Sequence, residues 1–316
     1  MKRIPHECRC GRRTRPWPGR APAGASATRR TTGIRGVLLA AALSALTAPG
    51  AAAQDGDRQS ERATSGLDLP VREVQLDNGM RFLLLPRPGA PTVAFVVEYR
   101  VGGVDEVPGR TGIAHLLEHL LFKGSTSIGT RDVEAERPWF ERMDAVHDSV
   151  LAERGRLRPD TARIRVFEGR IATLEDSART LLVPNEFDRI LSRNGARGLN
   201  ATTAAEATTY FVELPSNRAE LWFALESDRM RSPVFREFYT ERDVVMEERR
   251  LRIDTSPGGK LYEAHLAAAF TIHPYGQPVA GTMADLESLT RRDVEDYYRR
   301  FYGPRNATVA IVGDLD

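Results

Sequence analysis

His115, Glu118 and His119 lie within an otherwise apolar stretch at residues 111–122. On an α-helix, which turns about 100° per residue, the two histidines are about 40° apart and Glu118 lies about 60° to the other side of His115, so all three share one face. Imidazoles at this spacing can bind one metal ion, and Zn²⁺ is the usual ion for histidine and carboxylate sites with an open position. Because unpaired ionisable groups in a buried helix are costly, a metal site is favoured over two structural histidines.

A catalytic zinc site needs a third protein ligand. The acidic helix predicted for residues 237–254 offers candidates, since Glu241 and Glu248 both lie on its apolar stripe while Glu247 lies on its polar side. Helix geometry alone does not choose between Glu241 and Glu248. A solvated acidic helix without any ligand is the alternative interpretation.

The order of the motifs resembles the M16 metallopeptidases, the family of pitrilysin, insulin-degrading enzyme and the mitochondrial processing peptidase. The matching segments, in chain order, are His115-x-x-Glu118-His119 followed by Leu-Phe-Lys-Gly, Asn200-Ala-x-Thr203 with Glu206, Glu241-Arg-x-Val-Val-x-x-Glu248, His273-Pro-Tyr-Gly, Gly281-Thr-x-x-Asp-Leu, and Asn306-Ala-Thr with Val-Gly-Asp. The first of them has the inverzincin spacing. The resemblance covers residues 71–316 apart from the segment at 131–195.

The resemblance implies that His115, His119 and Glu248 bind one Zn²⁺ per chain. It implies that Glu118 is the general base, and that Glu241 is a carboxylate that orients a metal ligand. Zinc-activated water would then hydrolyse a peptide bond. A non-catalytic scaffold or assembly subunit of an M16-type complex is the alternative function, and it has no need of Glu118.

The resemblance also implies that the segment at Asn200 and Ala201 lines an edge strand, against which an extended peptide substrate pairs through its backbone. Such pairing tolerates many side chains, which suits an endopeptidase acting on peptides or unfolded polypeptides. An ordinary turn residue after Gly198 is the alternative interpretation of Asn200.

Family members enclose their substrate between two homologous halves, and this chain resembles the first half. The implied partner is a second M16-type half, which could be a non-catalytic subunit, a second copy of the chain or a missing C-terminal region. Nothing in the sequence indicates nucleic-acid binding.

Charge is unevenly placed along the chain. Residues 1–53 hold ten basic residues and one acidic residue, so the formal charge of +2 conceals a net charge of −7 in the remainder. A basic segment, a short apolar core at 37–46 and small residues up to Ala53 predict a secretory signal peptide at 1–53, cleaved after Ala53, followed by a flexible tether at 54–68. The chain is therefore expected to be exported, periplasmic or secreted, with a mitochondrial transit peptide as the alternative and no stable membrane anchor.

Both cysteines, Cys8 and Cys10, lie in this leader, which excludes disulfides and thiolate ligands from the expected mature chain.

Strand and helix patterns are grouped along residues 69–316, so an α+β fold is predicted, with an antiparallel-rich sheet packed against helices, as in one M16-type half. A hairpin is expected at 71–85 and a third strand at 92–101. The charged segment at 131–195 is expected to be a helical insertion in this catalytic domain, and His147 within it is expected to be solvated.

Overall fold

A computed structural model describes residues 69–314 of the protein. The predicted signal peptide at 1–53 and tether at 54–68 lie outside the described residues. Within 69–314, no helix combines the length and the apolar character needed to cross a bilayer.

Six strands form one mixed sheet. They are β1 (Arg72–Gln75), β2 (Arg81–Pro86), β3 (Thr92–Tyr99), β4 (Arg197–Thr203), β5 (Thr208–Pro215) and β6 (Ala307–Gly313). Their order across the sheet is β1-β2-β6-β3-β5-β4, and every neighbouring pair is antiparallel except β2 with β6. Buried and less buried residues alternate along β3 and β5, as the two-residue period of a strand requires.

The predicted hairpin is present as β1 and β2, with Arg72 opposite Leu84. Gly79 in its turn has a φ of +90°, and the Met80 amide donates to Asn78 Oδ1 at 3.0 Å. Glycine adopts this left-handed conformation without a steric penalty, which explains why the turn forms here.

Nine α-helices occur within residues 69–314. They are α1 (Ile113–Leu120), α2 (Val133–Arg154), α3 (Thr161–Ala178), α4 (Glu186–Arg193), α5 (Ala219–Arg231), α6 (Phe238–Arg249), α7 (Pro257–Ala269), α8 (Met283–Ser288) and α9 (Arg291–Phe301). Runs of strands and runs of helices follow one another without strict alternation. The predicted α+β class with an antiparallel-rich sheet is therefore confirmed.

Helix α1 is short, but its surroundings hold it firmly. Leu116, Leu117 and Leu120 are fully buried in the core. The Glu106 carboxylate accepts hydrogen bonds from the Gly112 and Ala114 amides at 2.8 and 2.9 Å, which satisfies N–H groups that the first turn of a helix leaves free. Tertiary contacts thus stabilise a helix that would be marginal alone.

The start of α1 touches the loop before α8 through backbone atoms. Gly112 has a φ of +87°, and a Cβ added at Gly281 would lie 2.3 Å from the Thr111 carbonyl oxygen and 2.6 Å from the Gly112 Cα. Thr111 Oγ1 also donates to Asp285 Oδ2 at 2.5 Å. The two segments approach this closely because both crossing residues are glycine.

The segment at 131–195 contains α2, α3 and α4, and α2 packs against α3. The expectation that His147 is solvated is wrong, because α2 turns one face inward and leaves His147 only 2% exposed. Its Nε2 lies 2.9 Å from Arg242 Nη1 and its ring packs on Tyr239, both from α6. The description of 131–195 as an insertion stays a prediction.

Candidate metal site

Helices α1 and α6 pack together and bring three potential ligands to one point. His115 Nε2 lies 3.8 Å from Glu248 Oε2, and His119 Nε2 lies 3.8 Å from Glu248 Oε1. One ligand atom from each residue lies within 4.8 Å of the other two. Ligands of a tetrahedral zinc at about 2.0–2.1 Å are roughly 3.4 Å apart, so a small inward movement of the side chains would accommodate the ion.

The electrostatics of His115 suit a metal ligand. Burial lowers the pKa of His115 to about 4, and the nearby positive charges of His119 and Arg252 lower it further. The ring is therefore neutral near pH 7, which is the form of imidazole that coordinates metals. Two neutral-capable imidazoles and one carboxylate form a donor set that fits Zn²⁺.

Glu241 contacts the opposite nitrogen of His119. Its Oε2 lies 3.3 Å from His119 Nδ1, and its Oε1 lies 2.6 Å from Lys123 Nζ. Burial raises the pKa of Glu241, but its hydrogen bonds to His119 and Lys123 outweigh burial and leave this pKa below its usual range. Because a carboxylate on Nδ1 directs Nε2 toward a metal, Glu241 and Glu248 occupy different positions around His119.

Glu118 lies beside these groups. Its Oε2 accepts a hydrogen bond from Thr203 Oγ1 at 2.5 Å. Burial raises the pKa of Glu118, and the Thr203 hydrogen bond partly opposes that rise. A carboxylate with a raised pKa is better matched to accepting a proton near neutral pH than a fully solvated one.

These residues line a cleft of about 700 Å³ together with Asn200, Ala201 and Thr203 from β4. Strand β4 is an edge of the sheet and pairs only with β5 among the described strands. Asn200 and Ala201 lie opposite Phe211 and Tyr210 in that pairing. The structure thus brings the candidate substrate strand and the candidate metal ligands into one cleft.

Two residues of the cleft were not expected from the sequence. Lys123 forms ion pairs with Glu241 and, at 3.3 Å, with Glu237. Arg252 lies 3.3 Å from Glu248. Each is four residues after a candidate ligand, His119 or Glu248, and this spacing on a helix is the signal that could have found them.

Similarity to known proteins covers most of the described residues. The family profile "Insulinase (Peptidase family M16)" matches residues 179–283. A protein of Helicobacter pylori named zinc protease PqqE is 31% identical over 252 residues, which are 78% of this chain and 44% of that protein. An uncharacterised zinc protease of Mycobacterium leprae is 28% identical over 248 residues, 78% of this chain and 43% of its own length. The chain thus spans less than half the length of these relatives.

Solved structures show the same fold. A crystal structure of a protease from Helicobacter pylori superposes with a TM-score of 0.58 at 29% identity and covers 78% of this chain and 47% of its own. The periplasmic protease PqqL from Escherichia coli has a TM-score of 0.54 at 21% identity, with 78% of this chain and 22% of its own covered, and supports the fold alone. With the family profile, the relatives and the shared fold in agreement, the chain belongs to the M16 family of peptidases.

Proposed function

We propose that this protein is a zinc-dependent endopeptidase of the His-x-x-Glu-His type that hydrolyses peptides or unfolded polypeptides. The observation that carries the proposal is the convergence of His115, His119 and Glu248, with ligand atoms within 4.8 Å of one another, beside Glu118 in an open cleft. The zinc protease names of its relatives support the same activity.

Within the cleft, His115, His119 and Glu248 would hold one Zn²⁺ per chain. When bound, zinc polarises a carbonyl and lowers the pKa of water toward about 7. Glu118 takes the proton of the attacking water on its carboxylate and later donates it to the nitrogen of the leaving amine. Thr203 fixes the orientation of the Glu118 carboxyl through the hydrogen bond already described, and Glu241 orients the His119 ring.

The substrate is proposed to lie along β4 as an additional strand. Its backbone would pair with the free edge of β4 near Asn200 and Ala201, which places a peptide bond next to Glu118, because Thr203 at the end of the same strand contacts that carboxylate. A folded protein cannot supply such a strand easily, so unfolded polypeptides are the expected substrates.

The proposal is tested by metal analysis and one substitution. The chain, purified without chelators, is expected to contain one zinc per chain, and Glu118→Gln is expected to keep that zinc while the rate of peptide cleavage falls by about 10²- to 10⁴-fold. Glu247→Gln is the matched control, since Glu247 is exposed on the opposite side of α6.

Less than half of the expected zinc, or an undiminished rate for Glu118→Gln, would favour the scaffold function instead. The intact Glu118 in the cleft speaks for catalysis, because a scaffold gains nothing from a carboxylate held beside metal ligands.

A second M16-type half is proposed as the partner, either a non-catalytic subunit, a second copy of the chain or a C-terminal region. The coverage of less than half of each relative supports this proposal. Export through the leader at 1–53 is also proposed, with the mitochondrion as the alternative destination. The periplasmic location stated for the Escherichia coli protein is consistent with export.

A further inference from the structure

A second cavity adjoins the candidate active site. Its volume is about 610 Å³, within the range of roughly 300–1,000 Å³ that is typical of ligand pockets. Its walls come from the loops after β3 and β4, from α7 and from the loop that follows α7. The lining residues are mostly apolar and include Val104, Ala204, Ala205, Leu266, Tyr275 and Val279. We name this cavity the side pocket.

The side pocket is continuous with the catalytic cleft. Arg252, Val279 and Ala280 line both cavities. Along β4, Thr203 contacts Glu118 and the next residue, Ala204, already lines the side pocket. A peptide extended along β4 past Glu118 would therefore bring a side chain to the mouth of the side pocket.

Close backbone contacts hold the walls of the side pocket in place. The Gly103 amide donates to the Ala204 carbonyl at 3.1 Å, and the Val104 amide donates to the Ala205 carbonyl at 2.9 Å. A Cβ added at Gly276 would lie 2.2 Å from the Phe270 carbonyl, so that wall also depends on a backbone contact. The cavity is formed before any ligand binds.

The charged groups of the side pocket have partners. Glu263 accepts hydrogen bonds from Arg249 Nη2 at 3.0 and 3.2 Å, and Arg252 pairs with Glu248 at 3.3 Å. Since each of these charges is neutralised by a neighbour, the apolar walls decide what the pocket favours.

We propose that the side pocket is a specificity subsite that binds one bulky apolar side chain of the peptide substrate, of the size of phenylalanine or leucine, next to the bond that is cleaved. This inference rests on the proposed peptidase function and adds a preference to it. Leu266 and Val104 are specificity-determining residues in this arrangement.

The test uses a set of otherwise identical, fluorescently labelled peptides in which a single phenylalanine or alanine is moved along the positions that flank the cleaved bond. The full chain is compared with Leu266→Trp, which fills the pocket, and with Leu261→Trp. The latter is the matched control, because Leu261 lies on the same helix and is 72% exposed. Cleavage is measured as kcat/KM, and binding is measured by fluorescence anisotropy with Glu118→Gln, alone and combined with each tryptophan substitution.

At one position of the peptide, phenylalanine is expected to raise both kcat/KM and affinity by at least about 10-fold over alanine. Leu266→Trp is expected to abolish that preference while the alanine peptide is cleaved and bound as before, and Leu261→Trp is expected to change neither. A wild-type chain that binds and cleaves both peptides equally would overturn the subsite and leave the peptidase proposal intact. Equal losses on both peptides for Leu266→Trp would also overturn the subsite.

The two proposals fail differently. A zinc-loaded chain that cleaves no peptide overturns the peptidase function, whereas a preference for phenylalanine in the binding measurement, lost on Leu266→Trp, still supports an apolar peptide pocket.

Discussion

His115 and His147 are both buried, and in both cases burial lowers the pKa to about 4. Their neighbours differ. His115 faces the Glu248 carboxylate and the ring of His119, at the wall of an open cleft. His147 is enclosed between α2 and α6 and faces the Arg242 guanidinium and the Tyr239 ring.

The comparison shows that a depressed histidine pKa does not by itself indicate function. It reports that the charged form is poorly solvated, which holds for a structural histidine as well as for a metal ligand. What separates the two sites is the presence of further electron-pair donors that converge on one point. Around His147, the group at hydrogen-bonding distance is a cation, which repels a metal ion.

The largest effect is expected from removing either histidine and comparing zinc affinity. His115→Gln should lower the affinity by more than about 100-fold, the upper end of the effect for residues that only orient a ligand. His147→Gln should leave zinc affinity unchanged, because it contributes no ligand atom to the cleft. Competition titration with a zinc indicator measures both, and a comparable loss in the two variants would break the distinction drawn here.

A smaller effect is expected at Glu241, which contacts His119 from the side away from Glu248. Glu241→Gln should lower zinc affinity by about 10- to 100-fold, because the hydrogen bond that orients His119 weakens and Lys123 loses its ion pair. Glu247→Gln on the same helix is the control. An unchanged affinity for Glu241→Gln would show that His119 needs no orienting carboxylate.

The smallest effect is expected in the pH dependence of stability and concerns His147. Burial lowers its pKa, as does Arg242, while Asp148 and the Glu287 backbone act in the opposite direction. The unfolded chain, with a pKa of about 6.5, binds more protons than the folded chain as pH falls from about 6.5 toward 4. Stability is therefore complete above about pH 6.5 and is lost on acidification.

Between pH 7.5 and pH 5.5, the free energy of unfolding of the metal-free wild type should fall by about 1 kcal/mol more than that of His147→Gln. Urea unfolding at the two pH values, in the presence of a chelator, measures this difference, and the contribution of His115 cancels because both proteins contain it. Equal pH dependence in the two proteins would contradict the depressed pKa of His147.

Helical periodicity predicts much of the site within one element and little between elements. The shared face of His115 and His119 follows from their spacing, and the structure shows their rings 4.9 Å apart. The choice between Glu241 and Glu248 does not follow from spacing, because both lie on the face of α6 toward α1. It depends on the axial offset of the two helices, which tertiary packing determines.

The fold shows the same limit. Residue alternation and the Asn78-Gly79 turn predict the hairpin, and the grouping of elements predicts the α+β class. The burial of His147 could not be predicted, since the many charged residues of α2 conceal the one face that packs on α6. Thr203 was noted only for its spacing, and its contact with Glu118 joins residues 85 positions apart.

The crossing of Gly112 and Gly281 has a consequence for how this protein tolerates mutation. Neither residue carries a functional group, and both lie outside the set of proposed ligands and substrate contacts. Any side chain at Gly281 would collide with the backbone that begins α1, and at Gly112 it would also require a strained φ of +87°. In a complete mutational scan, these two glycines would therefore be among the least permissive positions, and the region sensitive to substitution would extend beyond the residues that perform chemistry.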